Sequence, residues 1–222
     1  MEDKIKLFQE TLQVLHDKGI LPHLILIGSW AEYIYETVLY DGYISYLKTQ
    51  DMDFLVPNIA RPTEKINLSE ILADCGFIYD EERFSGVAKF YKNGLLELEF
   101  LATVKGSGEK TVYEIPSLGI KAEGLRYLDL LSEFSVTVNA RGIPVRVPLP
   151  QAYLLHKLLI NDQRKGFKKE KDLQAVRNLL LYLKDYPEQL KVLQEIYEHK
   201  LSKKQRGKIE QLRQLDSFSG TV

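Results

Sequence analysis

Two acids, Asp51 and Asp53, stand one residue apart at the start of the apolar run "DMDFLV". Side chains alternate along a strand, so both project from one face, with Cα atoms roughly 6.5–7 Å apart. Anions this close repel each other and persist together when a positive charge sits between or beside them. Magnesium suits the place, being hard, oxygen-loving and often shared between carboxylates and substrate phosphates. A second stretch, "LLELEFL", carries Glu97 and Glu99 on one face of a strand, with Leu96, Leu98 and Phe100 on the other. If that strand lies beside residues 51–56, Glu99 completes a three-carboxylate cluster, with Glu97 the alternative third acid. One metal would then activate an attacking oxygen and another would hold a leaving phosphate. The plainer reading is solvation, since acids on the open face of an antiparallel sheet are common. It weighs more for Glu97 than for Asp51 and Asp53, whose neighbours Met52 and Phe54 face a core.

Gly28 and Ser29 supply what the acids lack. They follow the apolar "HLILI" and precede a helix-like stretch. Glycine lets a phosphate approach the backbone, a helix start offers free N–H groups, and Ser29 adds a hydroxyl. An ordinary N-cap explains the pair equally well in isolation. The order is what carries weight: strand, Gly-Ser, helix, then a strand bearing Asp-x-Asp.

The elements that must position these groups follow from periodicity. Residues 4–18 read as a helix closed by Gly19, residues 23–27 as a short buried strand, and Ser29 to about Leu39 as a helix. The strand 51–56 closes at Pro57, and 67–77 forms a helix ending at Gly76. Lys92-Asn93-Gly94 turns a hairpin between "RFSGVAKFY" and "LLELEFL". Residues 102–124 read as a loop with little regular structure, "LRYLDLLSE" as a short helix, and "FSVTVNARGIPVRVPLP" as a second hairpin turning near Ala140–Gly142. From Pro150 onward four helical stretches follow with little strand signal. The expected class is α+β: a mixed sheet with flanking helices over 1–149, then a helical bundle over 150–222.

Charge divides at the same boundary. Residues 1–149 carry 15 Lys and Arg against 22 Asp and Glu, whereas residues 150–222 carry 15 against 9, within a chain of formal net charge −1. The two halves therefore either dock on each other electrostatically or present surfaces with different duties. A basic nucleic-acid surface lacks the interleaved aromatics and high pI it would need. A single cysteine, Cys75, excludes an internal disulfide framework and fits a reducing compartment. No stretch reaches the roughly 20 apolar residues that span a bilayer, and the charged N-terminus lacks the features of a signal peptide. The expectation is a soluble cytoplasmic protein without a membrane partner.

At "IGSWAEYI", "TQDMDFLV" and "LELEFL" the sequence resembles the nucleotidyltransferase superfamily of the DNA polymerase β type. "VPLPQAYLLHKLLINDQRKGFKKEKDLQAVRNLL" is similar to the helical segment of bacterial nucleotidyltransferase-like proteins, including toxins of abortive-infection systems. The resemblance spans roughly residues 23–183. It implies that Gly28 and Ser29 hold the triphosphate and that Asp51 and Asp53 bind magnesium. Glu99 is then the third acid and metal ligand, and a candidate base, while Lys157 and Arg164 approach the nucleotide phosphates. Two departures stand out. The gap between Ser29 and Asp51 is longer than in compact members, with an insertion around 40–48, and the third acid is Glu where Asp is commoner.

Lys157 and Arg164 lie seven residues apart, nearly two helical turns, which predicts a shared face. Lys157 sits within an apolar helix, where a lone cation needs an anionic partner, either a nucleotide phosphate or Asp172. The run Lys165, Lys168, Lys169 and Lys171 reads equally well as phosphate-facing or as a solvated face. "VKGSGEKT" fails the P-loop pattern because Glu109 stands where glycine is required. His16, His23, His156 and His199 lack zinc spacing, and Cys75 reads as a small buried hydrophobe. Tyrosines 33, 35, 40, 43 and 46 suit base stacking or, more simply, the core.

Together these features predict transfer of a nucleoside monophosphate from a nucleoside triphosphate to a hydroxyl of RNA, protein or a small molecule, with Mg2+ as cofactor. The alternative is an inactive nucleotide- or partner-binding module, possibly half of a toxin–antitoxin pair. Nucleobase preference and oligomeric state are not legible.

Overall fold

The apolar stripe of the first helix becomes α1 (Glu2–Asp17), which turns Leu7, Phe8, Leu12 and Leu15 inward. The computed structural model describes residues 2–45, 49–104 and 111–215. A short 3-10 turn, Leu21–His23, delays the first strand, so β1 is only Ile25–Ile27. Next comes α2 (Gly28–Ile34), which runs into a π-helical turn at Tyr35–Leu39 in place of a longer α-helix. Trp30 of α2 stacks on Phe8 of α1 at 4.1 Å between ring centres, a contact of about 0.5–1.5 kcal/mol beyond its area. Then follow β2 (Asp51–Val56), α3 (Leu68–Asp74), β3 (Ile78–Glu81), β4 (Ala88–Lys92) and β5 (Leu96–Thr103).

Residues 102–124 depart from the expected loop. They contain β6 (Val112–Ile115) and β7 (Ile120–Leu125), an antiparallel pair whose second strand runs parallel to the end of β5. The alternation in "IKAEGL" buries Ile120 and Ala122. Gly124 is required where its α-carbon meets Tyr113, since a Cβ there would lie 2.7 Å from the ring. The P-loop-like stretch falls mostly outside the described residues.

The sheet is mixed, with strand order β1-β2-β5-β4-β3 and β7 joining β5 further along. Its centre, β2 and β5, is a parallel pair. A short helix, α4 (Leu128–Glu133), leads to the hairpin β8 (Ser135–Ala140) and β9 (Ile143–Pro148), which forms its own two-stranded sheet and packs on β1.

The C-terminal helices are α5 (Pro150–Ile160), α6 (Phe167–Leu183), α7 (Pro187–His199) and α8 (Lys203–Leu215). All residues of α5 are buried, because α4, α6, α7 and α8 surround it. One continuous apolar core joins the sheet to these helices. Among the described residues no helix is long and apolar enough to cross a membrane. Cys75 caps α3 and is half-buried against the core rather than enclosed by it.

Candidate functional site

The centre of the site is the register of three strands. Asp53 lies between Ile27 of β1 and Glu99 of β5, and Asp51 pairs with Glu97. Acids one strand apart in register share a face. Asp51, Asp53 and Glu99 line a cavity of about 390 Å³, whereas Glu97 does not line it. Gly28 and Ser29 form an adjoining wall, and Lys157, Arg164, Lys168 and Lys171 close the cavity from α5, α6 and the segment between them. Every site residue expected from the sequence thus reaches one cavity. Its acids Asp51, Asp53, Glu99 and Glu123 come from the sheet and Asp172 from α6, whereas its cations, Lys89 apart, come from the C-terminal portion.

Gly28 is held against Asp53. It adopts φ +68°, and a Cβ on it would stand 2.1 Å from Asp53 Oδ2. Only glycine tolerates both the conformation and the approach. Ser29 is buried and follows the helix start, but α2 has no side-chain cap bond, so Ser29 is a wall residue rather than an N-cap.

Burial, with repulsion from Glu99 and Asp51, raises the Asp53 carboxyl to about 7. Burial also raises Glu99, against the pull of Lys89. Among the described residues neither Asp51 nor Asp53 makes an ion pair. Glu99 does: Lys89 of β4, its cross-strand neighbour, donates to Glu99 Oε1 at 2.6 Å and to Glu97 Oε1 at 2.7 Å. Among the described residues no three His, Cys, Asp or Glu side chains are grouped to hold a metal ion. An ion here would rest on Asp51 and Asp53 and take its remaining oxygens from a ligand, the usual habit of magnesium.

Lys157 and Arg164 do not share a helical face. The α-helix stops at Ile160, a 3-10 turn follows, and Arg164 is extended. The chain nevertheless brings them together on Asp172, a buried carboxylate of α6. Lys157 Nζ donates to Oδ1 at 2.6 Å and Arg164 Nε to Oδ2 at 3.1 Å. Asp172 is therefore the partner Lys157 requires. Lys168 and Lys171 line the cavity without an ion pair among the described residues. Burial, with Lys157 nearby, lowers the Lys171 ammonium.

Of the four histidines only His156 lines the cavity. Burial, with Lys157 and Arg164 close by, lowers it to about 3, so it is neutral near pH 7. The tyrosines serve structure. Tyr35 donates to Pro148 O at 2.9 Å, Tyr40 packs on Tyr182, and Tyr33 meets Phe8 and Trp30 edge-on. Tyr46 lies outside the described residues.

Lys89, Thr49, Tyr153 and Glu32 escape the sequence reading. Glu32 follows Ser29 in a Ser-x-x-Glu pattern that suggests a capping box. Instead, its buried carboxylate accepts from Tyr153 at 2.6 Å and Tyr43 at 3.3 Å, and burial raises its pKa. Tyr153 also presents its ring to Lys157 Nζ at 5.1 Å, so Glu32 supports the cavity from behind.

No curated protein matches the sequence. Among solved structures, an antigenic nucleotidyltransferase-like protein from Paracoccidioides brasiliensis shares the fold at 13% identity and a TM-score of 0.53, over 98% of this chain and 90% of that one. ANT(2'')-Ia in complex with adenylyl-2''-tobramycin is 17% identical over 86% of this chain and 94% of its own, with a TM-score of 0.47. A family model described as nucleotidyltransferase matches residues 7–199. That match runs through every element that lines the cavity, and the chain belongs to the nucleotidyltransferase family.

Proposed function

We propose that this chain transfers a nucleoside monophosphate from a nucleoside triphosphate to a hydroxyl of RNA, protein or a small molecule, with magnesium, and releases pyrophosphate. The observation that carries this reading is the contact of Gly28 with Asp53 inside a cavity that the sheet acids Asp51, Asp53 and Glu99 share with Lys157, Arg164, Lys168 and Lys171. Residues 1–149 would act as the catalytic domain and 150–222 as the helical domain that clamps the triphosphate.

The residues suit magnesium. Asp53 is a buried carboxylate raised by its own surroundings, with Asp51 beside it and no cation paired to either among the described residues. Hard oxygen donors under mutual repulsion select a hard divalent cation. Asp51 and Asp53 would hold it, and bound there it would supply Lewis-acid stabilisation to the phosphates.

The chain's own residues do the rest. Gly28 and Ser29 leave room along one wall for the triphosphate. Lys171 and Lys168 offset its charge, and Arg164, whose Nε–H is committed to Asp172, offers its terminal N–H groups. Lys157, locked on Asp172, holds that wall in place. The acceptor hydroxyl attacks the α-phosphorus in line, the bond to the bridging oxygen breaks, and pyrophosphate leaves. Glu99, bonded to Lys89 through one oxygen, has a second oxygen for the hydroxyl proton.

One observation favours a second reading. Lys89 already occupies Glu99, as expected of a nucleotide- or partner-binding module without transfer, whether free-standing or half of a toxin–antitoxin pair related to the abortive-infection proteins. Incubation with magnesium, each nucleoside triphosphate labelled at the α-phosphate, and pooled cellular RNA and protein separates the two. Label transfer that Asp53→Asn abolishes supports the enzyme. Tight magnesium-nucleotide binding without transfer to any acceptor supports the module.

A further inference from the structure

Asp53, Glu99 and Lys89 form a row across β2, β5 and β4, on one face of the sheet and in direct register. Asp51, Glu97 and Tyr91 form the row beside it. Lys89 binds both Glu99, opposite Asp53, and Glu97, opposite Asp51, and of these two only Glu99 lines the cavity. Resting on the reading above, we propose that Lys89 is a tethered cation standing where the acceptor-side metal ion of a two-metal site would sit. The site then works with one divalent ion, on Asp51 and Asp53, instead of two.

Three observations support this. Lys89 itself lines the cavity, and its ammonium is bound to Glu99, which lines it too. Its bonds of 2.6 and 2.7 Å to Glu99 and Glu97 are charge-assisted and short. A second divalent ion on Glu99 would have to sit within hydrogen-bond reach of that ammonium, with like charges opposed. Finally, Asp51, Asp53 and Glu99 are not grouped as a three-ligand set, as expected if Glu99 is turned to Lys89.

The same geometry explains why a Glu in this position is compatible with a site built on two Asp residues. Glu99 does not need to reach the ion of Asp51 and Asp53. It needs to reach across one strand to Lys89, and the longer side chain does so. Lys89 would then fix the orientation of Glu99 and place a positive charge near the acceptor oxygen. It is a positioning residue for Glu99 and a charge for the acceptor side.

Ion counting tests this on the full chain. Mn2+ is titrated against protein with stoichiometric α,β-methylene nucleoside triphosphate, each of the four bases in turn, and bound ion is read from loss of the free-ion electron paramagnetic resonance signal. The expected count is one ion per nucleotide-bound chain in the wild type, still one in Glu99→Gln, and two in Lys89→Met. Circular dichroism checks that each variant folds, and Lys89→Gln serves if Lys89→Met does not. Two ions per wild-type chain, falling to one in Glu99→Gln, overturns the role given to Lys89 and leaves the transfer reading standing. One ion in both the wild type and Lys89→Met overturns it as well. A count that Asp53→Asn leaves unchanged strikes at the magnesium site itself, and so at both.

Discussion

Gly28→Ala is the sharpest perturbation of this site, because the structure supplies two separate costs. The first is conformational: Gly28 has φ +68°, where an L-residue pays about 1–2 kcal/mol. The second is steric: the new Cβ would lie 2.1 Å from Asp53 Oδ2 and 3.2 Å from its Cγ, against a practical minimum of 3.0 Å, so the carboxylate must retreat by about 0.9 Å. Asp53 cannot shift its backbone to comply, since it is paired to Ile27 on one side and Glu99 on the other. Rotation about its side-chain bonds is what remains, at about 0.5–1.5 kcal/mol for an off-rotamer angle. The expected loss of stability is therefore about 2–3 kcal/mol, measured by urea unfolding. Misplacement of a reacting group by about 1 Å costs on the order of 100-fold in rate, and transfer of α-phosphate label should fall by at least that factor. A double-mutant cycle isolates the contact. In an Asp53→Ala background the steric part vanishes, and Gly28→Ala should cost only the conformational part. Transfer within threefold of wild type, or an equal stability loss in both backgrounds, refutes the reasoning.

Three further outcomes follow from the charges. Asp53 is raised from 3.8 to about 7 by burial, Glu99 and Asp51, so the folded chain binds more protons than the unfolded one between those values, and stability falls as pH rises through that window. Asp53→Asn should therefore gain on the wild type by up to roughly 4 kcal/mol at pH 8 and by little at pH 4, in urea unfolding with chelator present. An offset independent of pH counts against it. His156 slopes the other way, being lowered to about 3 and losing stability as pH falls from 6.5, but it is common to both proteins and cancels in the difference. Asp172→Asn leaves Lys157 buried without its counter-charge and should cost about 3–5 kcal/mol, and an unfolding midpoint equal to wild type would contradict the pairing. Tyr153→Phe removes the 2.6 Å bond to buried Glu32 and should cost about 1.5–3 kcal/mol, more at pH 8 than at pH 4, where protonated Glu32 depends less on that donor.

The parts of this site that are legible in the sequence are those set by local rules. Alternation alone places Asp51 with Asp53, and Glu97 with Glu99, on single faces. The order of strand, Gly-Ser, helix and Asp-x-Asp is likewise local. Other features depend on partners distant along the chain. Residues 102–124 look like a loop because the strands there are short and interrupted by polar and glycine residues, and β7 becomes a strand by pairing with β5. Seven-residue spacing suggests a shared helical face for Lys157 and Arg164, yet the helix ends at Ile160, and their meeting is dictated by Asp172 on another helix.

Lys89 shows most clearly what separates a legible residue from a hidden one. A two-residue Asn-Gly turn would pair Lys92 with Leu95 and set Lys89 opposite Leu98, on the core face. The hairpin instead spends three residues, Asn93, Gly94 and Leu95, on the turn, and Lys92 pairs with Leu96. A shift of one residue reverses every side chain on a strand, and here it moves Lys89 from the core to Glu99. The single residue Leu95 thus decides whether the third acid faces an ammonium or stands open. That choice cannot be made from alternation, because both registers satisfy the apolar pattern of one strand at a time. It is made by the two strands together, where only one register keeps Phe90 and Leu98 paired and buried. Core packing therefore determines the charge at the reacting face.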